Sequence, residues 1–175
     1  REEYSPQILA LWNVWNTLKG RVPYDVDDLV VGFALGCRPM DFTDIRKRTD
    51  PNQAMLRACR LRWQTELRLV DPVMVISFGH HAFASLRPAE LKKGNYVKSI
   101  GEVVPFEIPG VRGPVPYTAY IAPDPYDVAD NALQEAWTED FDFMPTHSPA
   151  KQPVADLRWH IWRALWIAKA VELGR

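Results

Sequence analysis

The chain contains two cysteines, whose thiols can act together only if the fold brings them close. Cys37 follows an apolar run at residues 29–35 that ends at Gly36, and Cys59 lies in a helical pattern further along. An apolar run bounded by glycine is typical of a strand buried in a parallel sheet. Because a crossover helix packs back on the sheet edge that its loop leaves, the two thiols can converge. The alternative is that both are small buried hydrophobic residues.

Two adjacent histidines, His80 and His81, follow Gly79 at the end of a second apolar run, residues 73–78. Neighbouring residues at the start of a helix point in different directions, so the pair is not expected to share a metal ion. One of them could face a pocket, because α/β sheets bind ligands at the carboxyl ends of their strands. The favoured alternative is a solvated helix start. His160, in the last helix, has no partner visible in the sequence.

The charges are unevenly distributed, although the formal net charge is only -1. Residues 38–68 contain eight Lys or Arg against four Asp or Glu, whereas residues 122–150 contain seven acidic residues and no basic one. A nucleic-acid surface, if present, must therefore be a local patch. The residues predicted to form it are Arg38, Arg46, Lys47, Arg48, Arg57, Arg60 and Arg68.

Length and composition predict a single domain of 175 residues, since an apolar fraction of 47% can build one well-buried core. Two cysteines and the lack of a long apolar run predict a cytoplasmic protein with neither a disulfide framework nor a membrane partner. Because the chain begins with arginine and enters helical sequence at once, we expect a missing segment upstream.

The elements that must position these side chains form a strand, helix, strand crossover. Asp50 and Pro51 suit a helix start, and the helix should extend to about residue 70. An edge strand or an extended loop, containing Pro105, is expected at residues 102–108, and a further strand at residues 117–121. Helices are predicted at residues 6–19, 127–141 and 154–173, the last rich in tryptophan. The predicted fold is a three-layer α/β/α domain with a short, mostly parallel sheet.

Three ordered motifs carry a resemblance to a known family. They are GCRP at residues 36–39, RACR at residues 57–60 and ISFGHHA at residues 76–82. Together they resemble the central block of the iron-sulfur uracil-DNA glycosylases, and the match spans residues 28–86 with a weak continuation to residue 131. The alternative is an ordinary α/β crossover with two buried cysteines.

The resemblance implies a [4Fe-4S] cluster in which Cys37 and Cys59 are two of four thiolate ligands. In the family, the other two cysteines lie near the N-terminus, with a glycine-rich motif that positions the attacking water. Neither has a counterpart in this chain. The sequence is therefore expected to be a fragment, or the protein has lost the cluster, and the first alternative is favoured because both cysteines match.

The resemblance also implies a base pocket lined by Phe33, Gly79, His80, Ala122 and Pro123. Phe33 stands where the family has the asparagine that reads uracil, and a phenyl ring cannot form those hydrogen bonds. Ala122 stands where the family has a catalytic histidine before the proline. The family's DNA-inserting loop is acidic here, which opposes phosphate binding.

Three functions follow as hypotheses. The first is a DNA-binding member of the superfamily, acting in repair or replication, whose base excision is altered or lost. The second is an active glycosylase for uracil or another base. The third is a protein-docking module of a replication or repair assembly, with the acidic region or the tryptophan-rich last helix as its contact surface.

Overall fold

A computed structural model describes residues 6–32, 53–86, 93–125 and 157–174. The helices are α1 (Pro6–Leu18), α2 (Gln53–Val70), α3 (Gly79–Leu86), α4 (Lys93–Ser99) and α5 (Leu157–Leu173). The strands are β1 (Val75–Phe78), β2 (Val103–Gly110) and β3 (Gly113–Ala122). A short 3-10 turn at Val26–Asp28 follows α1. The protein therefore belongs to the mixed α/β class.

The three strands form a mixed sheet in the order β1-β3-β2. β1 pairs with β3 in parallel, whereas β2 pairs with β3 in antiparallel fashion. The reason is the two-residue connection Val111–Arg112, which can only join antiparallel neighbours. Within the described residues, the expectation of a mostly parallel sheet is therefore not met, because one pairing of the two is parallel.

Helices cover both faces of the sheet. Tyr117, Ala119 and Ile121 of β3 belong to a core cluster with Phe83 of α3 and Tyr96 of α4, and Trp63 and Leu67 of α2 pack against it. The alternate residues Tyr120 and Ala122 belong to a second cluster with Ala164 of α5. Since successive strand residues point to opposite faces, α2, α3 and α4 lie on one side and α5 on the other. Three layers were expected, and the described residues have them.

Helix α1 packs against α5, on the face of the sheet opposite to α2, α3 and α4. Val14, Trp15 and Leu18 of α1 form a core cluster with Leu157, Ile161 and Leu165 of α5. Tyr24 extends this contact, because its hydroxyl donates a hydrogen bond to Glu172 Oε2 at 3.1 Å and its ring lies under Lys169. Val14, Trp15 and Leu18 of α1 are therefore core residues, whereas Leu9 and Trp12 of the same helix are exposed.

The predicted strand at residues 29–35 is wrong for its described part. Residues 29–32 have no regular structure, and Val30 and Val31 are 69% and 62% exposed. Only Leu29 joins a core cluster, and Gly32 lies near the carboxylate of Glu66 on α2. An apolar run favours a strand but does not specify its neighbour, and these residues pair with no strand in the described sheet. Residues 33–35 lie outside the described residues.

Strand β2 forms one edge of the described sheet, as predicted for the segment with Pro105. Its residues alternate between exposed and buried, and Pro105 and Pro109 fall on the exposed positions. The turn that joins β2 to β3 is confined to residues 110–113. Gly110 is required there, because a Cβ would lie 2.6 Å from the Gly113 carbonyl oxygen. Pro114 and Pro116 lie in β3 beyond its pairing with β1, where none of the described strands pairs with that side of β3.

Candidate functional site

The carboxyl ends of the parallel strands β1 and β3 lie side by side, with Phe78 opposite Ala122. Gly79 follows β1 and begins α3 with a φ of 80°, in the left-handed region that favours glycine. A Cβ built on Gly79 would lie 2.7 Å from Oδ2 of Asp124, which follows β3. The Asp124 carboxylate therefore lies against the first residue of α3, where the helix dipole favours negative charge.

Tyr96 of α4 links the end of β3 to the start of α3. Its hydroxyl donates a buried hydrogen bond of 3.2 Å to the Ala122 carbonyl, and its ring makes an edge contact with His80 at a centroid distance of 5.9 Å. The ring of His81 lies 5.5 Å from that of His80. The structure thus brings Gly79, His80, Ala122 and Pro123 together at the carboxyl ends of β1 and β3. Phe33, the fifth predicted pocket residue, lies outside the described residues.

Ala122 and Pro123 are fully buried, so neither can contact a ligand directly in this arrangement. Ala122 packs with Tyr120 and with Ala164 of α5, on the face of the sheet opposite to α3. A histidine introduced at position 122 would overpack this contact. Among the predicted pocket residues, His80 is the half-buried side chain that can reach a ligand.

This edge holds one carboxylate and two imidazoles, which are the groups that general acid–base chemistry uses. It also places the negative Asp124 at the helix start, where an α/β sheet would otherwise bind an anion. Within the ranges that the structure describes, no three His, Cys, Asp or Glu side chains form a metal-binding group. The edge can therefore bind a neutral or cationic group better than a phosphate.

The predicted phosphate contacts are only partly described. Arg68 is exposed, and its guanidinium donates to the Pro109 carbonyl oxygen and to Thr65 Oγ1, both at 3.3 Å, so it braces the β2–β3 hairpin on α2. Arg60 is half-buried on α2, and Arg57 belongs to the same helix. Arg38, Arg46, Lys47 and Arg48 lie outside the described residues.

Cys59 is buried on α2 with 5% of its surface exposed, and Cys37 lies outside the described residues. Their predicted convergence is therefore not visible. A [4Fe-4S] cluster takes four thiolates, and the two cysteines of this chain can supply only half of them. The residues present do not by themselves fit such a cluster, which would need ligands from elsewhere.

A buried tyrosine–histidine pair escaped the sequence analysis. The Tyr120 hydroxyl lies 2.8 Å from Nδ1 of His160, and both side chains are buried. The Arg163 guanidinium carbon lies 6.0 Å from the Tyr120 ring centroid and 5.0 Å from the Trp159 ring centroid. The signal in the sequence was that His160 shares a helix face with Leu157, Ile161 and Ala164, since a histidine on an apolar face needs a polar partner.

Comparisons with known proteins add no relative. No protein-family model matches the chain, and searches of the curated proteins and of the solved structures returned no significant match. Among the described helices, none is both long and apolar enough to cross a bilayer.

Proposed function

We propose that this protein binds nucleic acid, is organised like a uracil-DNA glycosylase, and has altered or lost base excision. The observation that carries the second half is the contact of Asp124 with Gly79 at the carboxyl ends of β1 and β3. A carboxylate there repels the phosphates that would bring a flipped nucleotide to this edge. Ala122 adds support in two ways. It carries no imidazole that could stabilise a departing base, and it is buried, so it cannot contact one.

The DNA-binding half rests on the basic sequence of residues 38–68. The variant Arg46→Ala/Lys47→Ala/Arg48→Ala should bind single- and double-stranded DNA more weakly. Its plot of log affinity against log salt should be flatter by about one per lost phosphate contact, because fewer counterions are released. Fluorescence anisotropy at several salt concentrations measures both quantities.

A charge-matched control is Lys19→Ala/Lys98→Ala/Arg112→Ala, which removes three exposed cations from the end of α1, from α4 and from the β2–β3 turn. This control should keep the wild-type salt slope. If both triple variants bind DNA as the wild type does, with their folds intact by circular dichroism, the DNA-binding proposal fails.

Excision of uracil from a single-stranded oligonucleotide should be very slow. Loss of one positioned charge-stabilising donor lowers a rate by about 10²- to 10³-fold, and both Phe33 and Ala122 replace polar groups of the family. The measurement is the amount of free uracil released, determined by chromatography, and a reaction without protein is the control. Ordinary turnover would instead support an active glycosylase.

A second candidate is a protein-docking module, favoured by exposed apolar side chains on α1 and α5. Trp12 is 52% exposed, and Trp166 is 46% exposed with its ring 6.4 Å from that of Trp162. Exposed tryptophans are typical anchors of protein interfaces. This candidate gains support if the DNA-binding experiment fails.

A further inference from the structure

A buried tyrosine–histidine pair lies in the contact that holds α5 on the sheet. The Tyr120 hydroxyl of β3 lies 2.8 Å from Nδ1 of His160 on α5, and the two side chains are 0% and 2% exposed. Beside this pair the contact is apolar, since Tyr120 packs with Ala122 and with Ala164 of α5. Histidine can take up a proton near neutral pH. The contact between helix and sheet therefore contains a group whose charge can change.

Three polar side chains meet at the turn between α4 and β2. A Cβ built on Gly101 of this turn would lie 3.7 Å from Cε1 of His160 and 3.7 Å from Nη1 of Arg163. The Tyr120 hydroxyl oxygen would lie 3.9 Å from the same point. Glu102 follows Gly101 in the chain, but it is exposed. The imidazole therefore has the guanidinium as a close neighbour.

Among the described residues, the charged side chain beside this imidazole is a cation. The Arg163 guanidinium carbon lies 6.0 Å from the Tyr120 ring centroid and 5.0 Å from that of Trp159. It forms an ion pair with no carboxylate of the described part of the chain. Burial raises the pKa of the Tyr120 hydroxyl and the Arg163 charge lowers it, so this charge acts at the buried pair. A second positive charge on the imidazole would therefore be repelled.

Two effects oppose protonation of His160 in the folded protein. A charge on the buried ring would lose its hydration, and the charge of Arg163 would repel it. Once α5 leaves the sheet, the ring is in water, where a histidine takes up a proton at about pH 6.5. The released form thus binds the proton more readily than the attached form. By linkage, attachment is strongest above about pH 6.5 and weakens as the pH falls below it.

We propose that His160 makes the attachment of α5 to the sheet depend on pH, so that uptake of one proton by its imidazole releases α5 from β3. Solvent supplies the proton, and no covalent bond of the chain changes. Helix α1 shares a core cluster with α5 and should move with it, whereas α2, α3 and α4 contribute to the cluster on the opposite face. The device does not rest on the proposed DNA binding, and failure of the triple-variant experiment leaves it intact.

Amide hydrogen exchange from about pH 7.5 to about pH 5, corrected for the intrinsic exchange rate at each pH, tests the release of α5. Protection of α5 should fall by up to about tenfold per pH unit below about pH 6.5, because at most one proton is taken up. Protection of α2, on the opposite face of the sheet, should change much less. Unchanged protection of α5, or an equal loss of protection in α2, would overturn the proposal.

The variant His160→Asn removes the group that takes up the proton and keeps a partner for Tyr120. The asparagine side chain can accept a hydrogen bond near the position of Nδ1, but it does not titrate. In this variant the protection of α5 should be constant over the same pH range. The matched control is His81→Asn on α3, which should keep the wild-type pH dependence. Equal pH dependence in His160→Asn and wild type would refute the role of His160.

Two further measurements decide the matter even if His160→Asn folds poorly. Arg163→Gln removes the repelling charge, so α5 should lose less protection between neutral and acid pH than in wild type. In wild-type protein, nitrogen NMR of the imidazole should show an uncharged His160 at about pH 6, where a freely hydrated histidine is mostly charged. A charged His160 ring at that pH with α5 fully protected would contradict the proposal, as would the full wild-type pH dependence in Arg163→Gln.

Discussion

Replacing Gly79 with alanine should lower the free energy of unfolding by about 2 to 4 kcal/mol, as measured by urea denaturation. Two effects combine. The φ of 80° strains any residue with a Cβ, and the new Cβ would lie 2.7 Å from Asp124 Oδ2. Asp124 would have to move away from the start of α3, so the contact of its carboxylate with residue 79 would be lost.

Gly20→Ala is the matched control, since Gly20 has a φ of 75° and a Cβ added there would meet no atom within 4 Å. That variant should show only the strain, about 1 to 2 kcal/mol. Adding Asp124→Ala to Gly79→Ala should recover the difference between the two glycine variants. If Gly79→Ala costs no more than Gly20→Ala, the carboxylate is not where the structure places it.

Stability should fall by about 2 kcal/mol between pH 10 and pH 12 through Tyr120. Burial raises the pKa of the Tyr120 hydroxyl from 10.0 to about 12, and Arg163 partly offsets this rise. Because the folded-state pKa exceeds the unfolded value, the unfolded chain loses its proton first. The stabilisation is therefore complete below pH 10 and is lost as the pH approaches 12.

The test is urea unfolding at several alkaline pH values with Tyr120→Phe and Tyr24→Phe. Burial, and next the hydrogen bond to Glu172, also raises the pKa of Tyr24 to about 12, so Tyr24→Phe shows how much that residue contributes. Tyr120→Phe should lose about 1 to 3 kcal/mol at pH 8, because His160 loses its hydroxyl partner. An unchanged alkaline slope in Tyr120→Phe would mean that another group is responsible.

Most of the described helices were predictable because their signals are local, but α4 was not predicted, and the helix predicted at residues 127–141 lies outside the described residues. Helix α2 begins close to the Asp50–Pro51 start signal and ends before Asp71, whose φ of 45° terminates it. The strand pairing was less predictable, since it depends on connections. The turn at residues 110–113 makes β2 antiparallel to β3. No pattern in residues 29–32 revealed that they pair with none of the three described strands.

The candidate site was predictable in place but not in chemistry. Gly79 and His80 follow an apolar run, and this order alone locates them at the carboxyl end of a strand. The approach of Asp124 to Gly79 depends on the register of β1 and β3, which the sequence does not specify. The same holds for Tyr120 with His160, because this contact joins residues distant in the chain.

The prolines of β2 have a consequence for self-association. A strand at the edge of a sheet offers backbone N–H groups to which a second chain can add, and this is a route to aggregation. Pro105 and Pro109 have no N–H to offer, and Glu107 between them adds a charge on the exposed positions. Edge-to-edge pairing of two molecules through β2 is thereby opposed, which protects this edge of the described sheet against aggregation.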